Sequence, residues 1–154
     1  IHYFMKGVQD KIPPFVSKNP GLDSGYMIAH VTATSLASEN KTLSHPASVD
    51  SLPTSGGQED LVSMAPWAGY KLINIQENLN RILSIELIVA GAANNIAAVK
   101  LKPGTGTLPV LKILNKHCSF RKGDRSLSAE IESIANIISS GKLEKAVSKQ
   151  IILE

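Results

Sequence analysis

Two carboxylates, Glu59 and Asp60, follow Gln58 directly after a small-residue run, Thr54-Ser55-Gly56-Gly57. A carboxylate so placed can receive a proton or hold a substrate ammonium group. The Ser/Gly run followed by acids predicts a helix start, with Gln58, Glu59 and Asp60 in its first turn. N–H groups at a helix start favour the carboxylate form, which makes Glu59 an acceptor and not an acid near neutral pH. Helix-end stabilisation, worth less than about 1 kcal/mol when exposed, accounts for the same acids on position alone. Thr54-Ser55-Gly56 is a second chemical candidate, because a small-Ser-Gly backbone can cyclise to an electrophile. Turn-forming preference explains those three residues more cheaply. His30 lies in a helix-like run without partners at ligand spacing, and reads as a packed, hydrogen-bonded residue. His117-Cys118 lacks the further ligands that zinc needs, so no metal site is expected.

The acids end a polar stretch, Ser44 to Met64, set between long apolar runs. A connection of this length is functional or disordered more often than incidental. Val49, Leu52, Val62 and Met64 punctuate it, which predicts an ordered loop packed down by apolar anchors. Before it, Ile12-Pro13-Pro14-Phe15 predicts an extended segment, Asn19-Pro20-Gly21 a turn, and Asp23 or Ser24 a cap for a helix over 25–43. After it, Pro66 fits the first turn of a helix that no proline interrupts from Trp67 to Val99. Ile75, Leu79, Ile82, Val89, Ala93 and Ile96 recur there at helical spacing. The half from Ile82 to Val99 is apolar nearly all round, so burial among other helices is expected, with other chains or a further part of this one supplying them. Leu101 to Arg125 reads as a basic, solvated connection. Ser128 begins a capping box, Ile131, Ile134, Ile137 and Ile138 share a helix face, Gly141 stops that helix, and 143–152 form a last short one.

Composition fits this outline. The chain has 154 residues with 43% apolar content, enough for a core, and only 5% aromatics, so aliphatic side chains do the packing. A net charge of +3 is too mild to imply nucleic acid. Phe120 alone among the basic residues of 101–125 gives no platform for stacking bases. The apolar run, bounded by Arg81 and Lys100 and broken by Glu86, Asn94 and Asn95, is short for a membrane span. The single cysteine, Cys118, suits a reducing cytoplasm. The first residue is Ile1 and no charged-then-apolar signal follows, so a fragment or processed chain is expected.

The stretch NPGLDSGYMIAHVTATSLASENKTLSHPASVDSLPTSGGQEDLVSMAP, Asn19 to Pro66, resembles the aromatic amino acid ammonia-lyase family, nearest to its histidine-specific members. DRSLSAEIESIANIISSGKLEKAV, Asp124 to Val147, is similar to the C-terminal end of the same enzymes; 101–122 matches least. The resemblance implies an all-α fold, a bundle of very long helices with a long ordered loop. It places 1–154 as one region, the C-terminal portion of a larger enzyme. Within it, 1–43 is an opening segment and helix, 44–64 the active-site loop, 65–99 the long core helix, and 100–154 the basic connection and C-terminal helices. The implied partners are the N-terminal portion of the same enzyme and further copies in a homotetramer, with no nucleic acid and no membrane.

The implied reaction is non-oxidative elimination of ammonia from an aromatic amino acid, first among them L-histidine to trans-urocanate. Phenylalanine or tyrosine lyases and a related aminomutase remain alternatives. The family's electrophile is a methylidene-imidazolone made from an internal Ala-Ser-Gly, a tripeptide this chain lacks; Thr54-Ser55-Gly56 aligns with an ordinary family loop. Glu59 matches the family's active-site glutamate, and Gln58 the residue that orders the loop. The chain alone is therefore expected to be inactive. Leu61 stands where the histidine enzymes commonly have His, Asp23 and His30 where they have Asn and Gln, and Gly56-Gly57 where they have Ala-Asn. These departures bear on substrate more than on fold. A non-catalytic helical assembly module is the competing expectation, and composition and periodicity support it equally.

Overall fold

The computed structural model describes residues 1–9, 11–100, 102–120 and 123–151. Their helices are α1 (His2–Lys6), α2 (Met27–Leu43), α3 (Ala65–Ile96), α4 (Thr107–His117), α5 (Ser128–Ser139) and α6 (Lys142–Ser148). Among the described residues there is no β-strand, only three isolated bridges. The all-α expectation holds.

α2, α4 and α5 pack on α3, whose 32 residues make a rod about 48 Å long, and α6 packs on α4 and α5. Pro66 sits in its first turn, where a missing N–H costs nothing. In its second half Ile85, Ile88, Val89, Ala92 and Ala93 are buried, against α2 on one side and α5 on the other. Ile134 and Ile137 of α5 close this core, as the isoleucine spacing predicts. Away from the face carrying buried Lys71 and Asn78 the first half is bare, with Trp67, Tyr70, Leu72 and Ile73 all more than half exposed. No helix among the described residues is long and apolar enough to cross a membrane.

Polar ties fix α2 against the bare half of α3. Buried Asn78 donates to Glu39 Oε2 at 3.1 Å and to Asn40 Oδ1 at 3.0 Å, and Asn40 donates to the Ile75 carbonyl at 3.4 Å. As numbers rise along α2 their partners on α3 fall, so the two helices form an antiparallel pair. The loop between them must therefore turn back at the N-terminal end of α3.

Several expectations are corrected. The stretch 101–125 is not merely a solvated connection: α4 lies within it, burying Leu114 and, just after its end, Cys118. Val110, Leu111, Leu114 and Cys118 share one face at helical spacing, while Pro109 falls in the first turn, where it is harmless. Gly91 of α3 makes room for this contact; a Cβ there would lie 2.8 Å from the Phe120 ring. Leu101, Arg121 and Lys122 of the same stretch lie outside the described residues. Neither Asp23 nor Ser24 caps α2, whose N-cap is Tyr26. Asp23 instead accepts from Ser17 Oγ and Asn19 Nδ2 across the predicted turn. Ser128 does not form a capping box either. Glu130 turns to the Arg125 guanidinium, a fork that matches its carboxylate better than one backbone N–H does.

The prolines at 13 and 14 give one extended residue and then a tight 3₁₀ turn, Pro14–Val16, with Phe15 and Val16 at positive φ. Gly25 lets the chain close over this turn. A Cβ at Gly25 would meet the Phe15 carbonyl oxygen at 2.4 Å, and Tyr26 N–H donates to that same oxygen at 3.0 Å. Gly141, at φ 69°, stops α5 as predicted. α6 ends at Ser148, short of the expected 152, and 152–154 lie outside the described residues.

Candidate functional site

Residues 44–64 leave α2 and return to α3 as an ordered excursion. It starts with a short turn, Ala47–Val49, which buries Ala47. Lys71, the buried lysine of α3, points its ammonium at the His45 carbonyl and pins the loop's first residues. Further out, the Ser51 hydroxyl accepts from Val62 N–H at 2.8 Å and donates to the Val62 carbonyl at 3.2 Å. Nearer the tip, Thr54 N–H donates to the Glu59 carbonyl at 3.1 Å, and Glu59 N–H returns a bond to the Thr54 carbonyl at 3.3 Å. Between these last two, Ser55–Gly57 forms a 3₁₀ turn with Ser55, Gly56 and Gly57 all at positive φ.

The helix start expected at Gln58, Glu59 and Asp60 is not there. α3 begins at Ala65 and has no acid in its first turn. The dipole rationale for Glu59 as an acceptor therefore does not apply; Glu59 is held instead as the closing residue of a six-residue reversal. Its side chain is exposed, as are those of Gln58 and Asp60. Gln58 supports the reversal through its backbone, donating to the Ser55 carbonyl at 3.4 Å. The expected apolar anchors also differ. Val49 and Leu52 are 73% and 64% exposed and hold nothing down within this chain, while Val62 and Met64 are half-buried. Hydrogen bonds, not burial, order the tip.

Thr54-Ser55-Gly56 is a turn, as the cheaper account of it requires. The Thr54 carbonyl is already engaged by Gly57 N–H and Glu59 N–H, so the tripeptide does not fit the role of an electrophile precursor. His30 is half-buried, with its ring 6.1 Å from that of His2, and makes no side-chain hydrogen bond among the described residues, so the hydrogen-bonded part of that expectation fails. His117 pairs with Ser133 Oγ at 3.0 Å, and no cluster of potential metal ligands occurs among the described residues.

The best-formed cavity, about 550 Å³, is elsewhere, at the C-terminal end of α3 beneath Tyr26, Phe120 and Arg125. Its polar groups are committed to holding the fold. Asp124 accepts from Ser24 N–H at 2.8 Å and Gly25 N–H at 2.9 Å, which holds its carboxyl below the usual range. Arg125 makes a bidentate pair with Glu130, which also accepts from Ser119 N–H. Burial pushes the Tyr26 hydroxyl up, and it pushes the Cys118 thiol up to about 12. Glu59 borders none of the best-formed cavities.

Sequence reasoning missed Lys71 and Ser51 as loop-holding residues, and Asp124 as the tie on the segment before α2. Lys71 had a signal: it lies two turns from Asn78, so the two polar residues share the face that meets α2. Ser51 and Asp124 had none, since each acts on backbone far away in sequence.

Residues 1–116 match the sequence model of the aromatic amino acid lyase family. The histidine ammonia-lyase of Burkholderia ambifaria is 46% identical over 134 residues, 87% of this chain and 26% of that protein. The histidine ammonia-lyase of Gloeobacter violaceus is 43% identical over 136 residues, again 26% of its length. The chain thus spans about a quarter of these relatives. Among solved structures, histidine ammonia-lyase from Trypanosoma cruzi superposes with a TM-score of 0.78 at 38% identity, over 91% of this chain and 27% of that one. Tyrosine aminomutase from Streptomyces globisporus superposes at 0.85 with 28% identity, over 93% and 27%. The chain belongs to the aromatic amino acid lyase family.

Proposed function

We propose that this chain is the C-terminal portion of a histidine ammonia-lyase, a cytoplasmic enzyme of histidine degradation that eliminates ammonia from L-histidine to give trans-urocanate. The observation that carries the reading is the presentation of Glu59, exposed at the tip of a hydrogen-bonded loop, in a chain 46% identical to such an enzyme. The lower identity to the aminomutase, 28%, favours the lyase over that alternative.

In this reading the N-terminal portion of the enzyme and further copies in a homotetramer cover the bare half of α3 and complete the site. The methylidene-imidazolone comes from an Ala-Ser-Gly outside this chain and, when present, draws electron density from the substrate so that its amine leaves more readily. Glu59 holds the substrate's ammonium group, while the base that takes the substrate's β-proton lies outside this chain. Gln58 keeps the reversal closed so that this carboxylate stays at the loop tip. The chain by itself is inactive.

The test is to combine this chain with the remaining portion of the enzyme and follow the absorbance of urocanate formed from L-histidine. Urocanate formation by the assembly, with none from the chain alone, supports the reading. Assembly without turnover on histidine, phenylalanine or tyrosine would favour a non-catalytic helical module.

A further inference from the structure

The loop tip has little burial to hold it: Leu52 and Leu61, which flank the tip, are 64% and 79% exposed. Its geometry rests on two ties, Ser51 with Val62 and Thr54 with Glu59. From the first tie to the second, the residue number rises by three on one strand and falls by three on the other. The two ties thus span opposite legs of one reversal, although a step of three is not the two-residue spacing at which antiparallel residues exchange backbone bonds. In an extended strand the N–H and C=O of one residue point to the same side, and an opposing backbone residue would engage both. Here the Ser51 hydroxyl does so, donating and accepting at once, which a hydroxyl can do and an alkyl side chain cannot. The Ser51 side chain thus braces the base of the reversal, three residues outside the backbone exchange that closes it at Glu59.

From this we infer that Ser51 is a positioning residue for Glu59: its hydroxyl closes the base of the reversal and fixes where the carboxylate at the tip is presented. The inference rests on the assignment of Glu59 to the active site. Lys71 cannot substitute for it, because Lys71 holds the loop at His45, outside the reversal.

The test uses the complete assembled enzyme, with L-histidine as substrate and urocanate absorbance as readout. Ser51→Ala lowers kcat by at least tenfold, and Ser51→Thr, which keeps the hydroxyl, restores it to within about threefold of wild type. The Val62 amide exchanges with solvent faster in Ser51→Ala than in Ser51→Thr. In a Glu59→Gln background, Ser51→Ala costs less than about twofold more, because both changes act through one carboxylate. Wild-type kcat in Ser51→Ala, or the same fold-loss in both backgrounds, overturns the proposal while leaving the role of Glu59 standing. Wild-type turnover in Glu59→Gln removes the site assignment, and the proposal with it.

Discussion

Thr54 and Glu59 exchange both of their backbone hydrogen bonds, at 3.1 and 3.3 Å, and so close a six-residue reversal at the tip of the loop joining α2 to α3. The exchange occupies the backbone of Glu59 and leaves its side chain exposed. No ion pair involves Glu59 among the described residues.

Glu59→Gln removes the charge and keeps the shape. In the complete enzyme, turnover falls by roughly a hundredfold or more, within the range typical of lost acid–base assistance, while size-exclusion chromatography shows the same oligomer. Wild-type turnover in a properly assembled Glu59→Gln enzyme would sink the assignment.

Lys71→Met removes the ammonium that engages the His45 carbonyl and keeps the aliphatic stem packed. Losing a charge-assisted hydrogen bond at a buried position costs about 1–3 kcal/mol. Urea denaturation of the assembled enzyme measures it as a lower midpoint with unchanged slope. An unchanged midpoint would mean that the loop's first residues are held by something other than Lys71.

Asp124 ties the segment before α2 to the segment before α5, and its stabilising effect depends on charge. Its carboxyl is held below the ordinary 3.8, first by Ser24 N–H and then by Gly25 N–H. The folded pKa is the lower one, so the contribution is fully present above 3.8 and is lost as pH falls through the folded value. Asp124→Asn has no such charge to lose. Denaturation midpoints followed from about pH 5 to about pH 2 should fall more steeply for wild type than for Asp124→Asn. Parallel curves would refute the tie.

Cys118 is buried beneath α4 and its thiol is pushed up to about 12, first by desolvation and then by the Glu130 charge. The thiolate is the reactive form, so the folded protein should resist iodoacetamide near neutral pH and label only on unfolding. Rapid labelling under native conditions, followed by mass spectrometry, would contradict the packing of α4.

The long helix, its isoleucine-rich partner and the stop at Gly141 were legible because each depends on local periodicity or a local backbone requirement. α4 was obscured: its basic residues drew attention from the Val110, Leu111, Leu114 stripe, and Pro109 looks like a breaker until its place in the first turn is known. Glu59 was found as a candidate for a local reason that proved mistaken. Its acids resembled a first helical turn, whereas α3 begins only at Ala65.

By itself, then, the sequence determined the helices α2, α3 and α5, the apolar character of the second half of α3 and which family pattern carries Glu59. Tertiary structure alone decided how Glu59 is held. That depends on Ser51 meeting Val62 and Lys71 meeting His45, while Asp124 meeting Ser24 sets the approach to α2. Each is a side chain satisfying a backbone group brought near only when the helices pack. Backbone donors and acceptors are the same at every residue, so no residue type marks them in advance as partners.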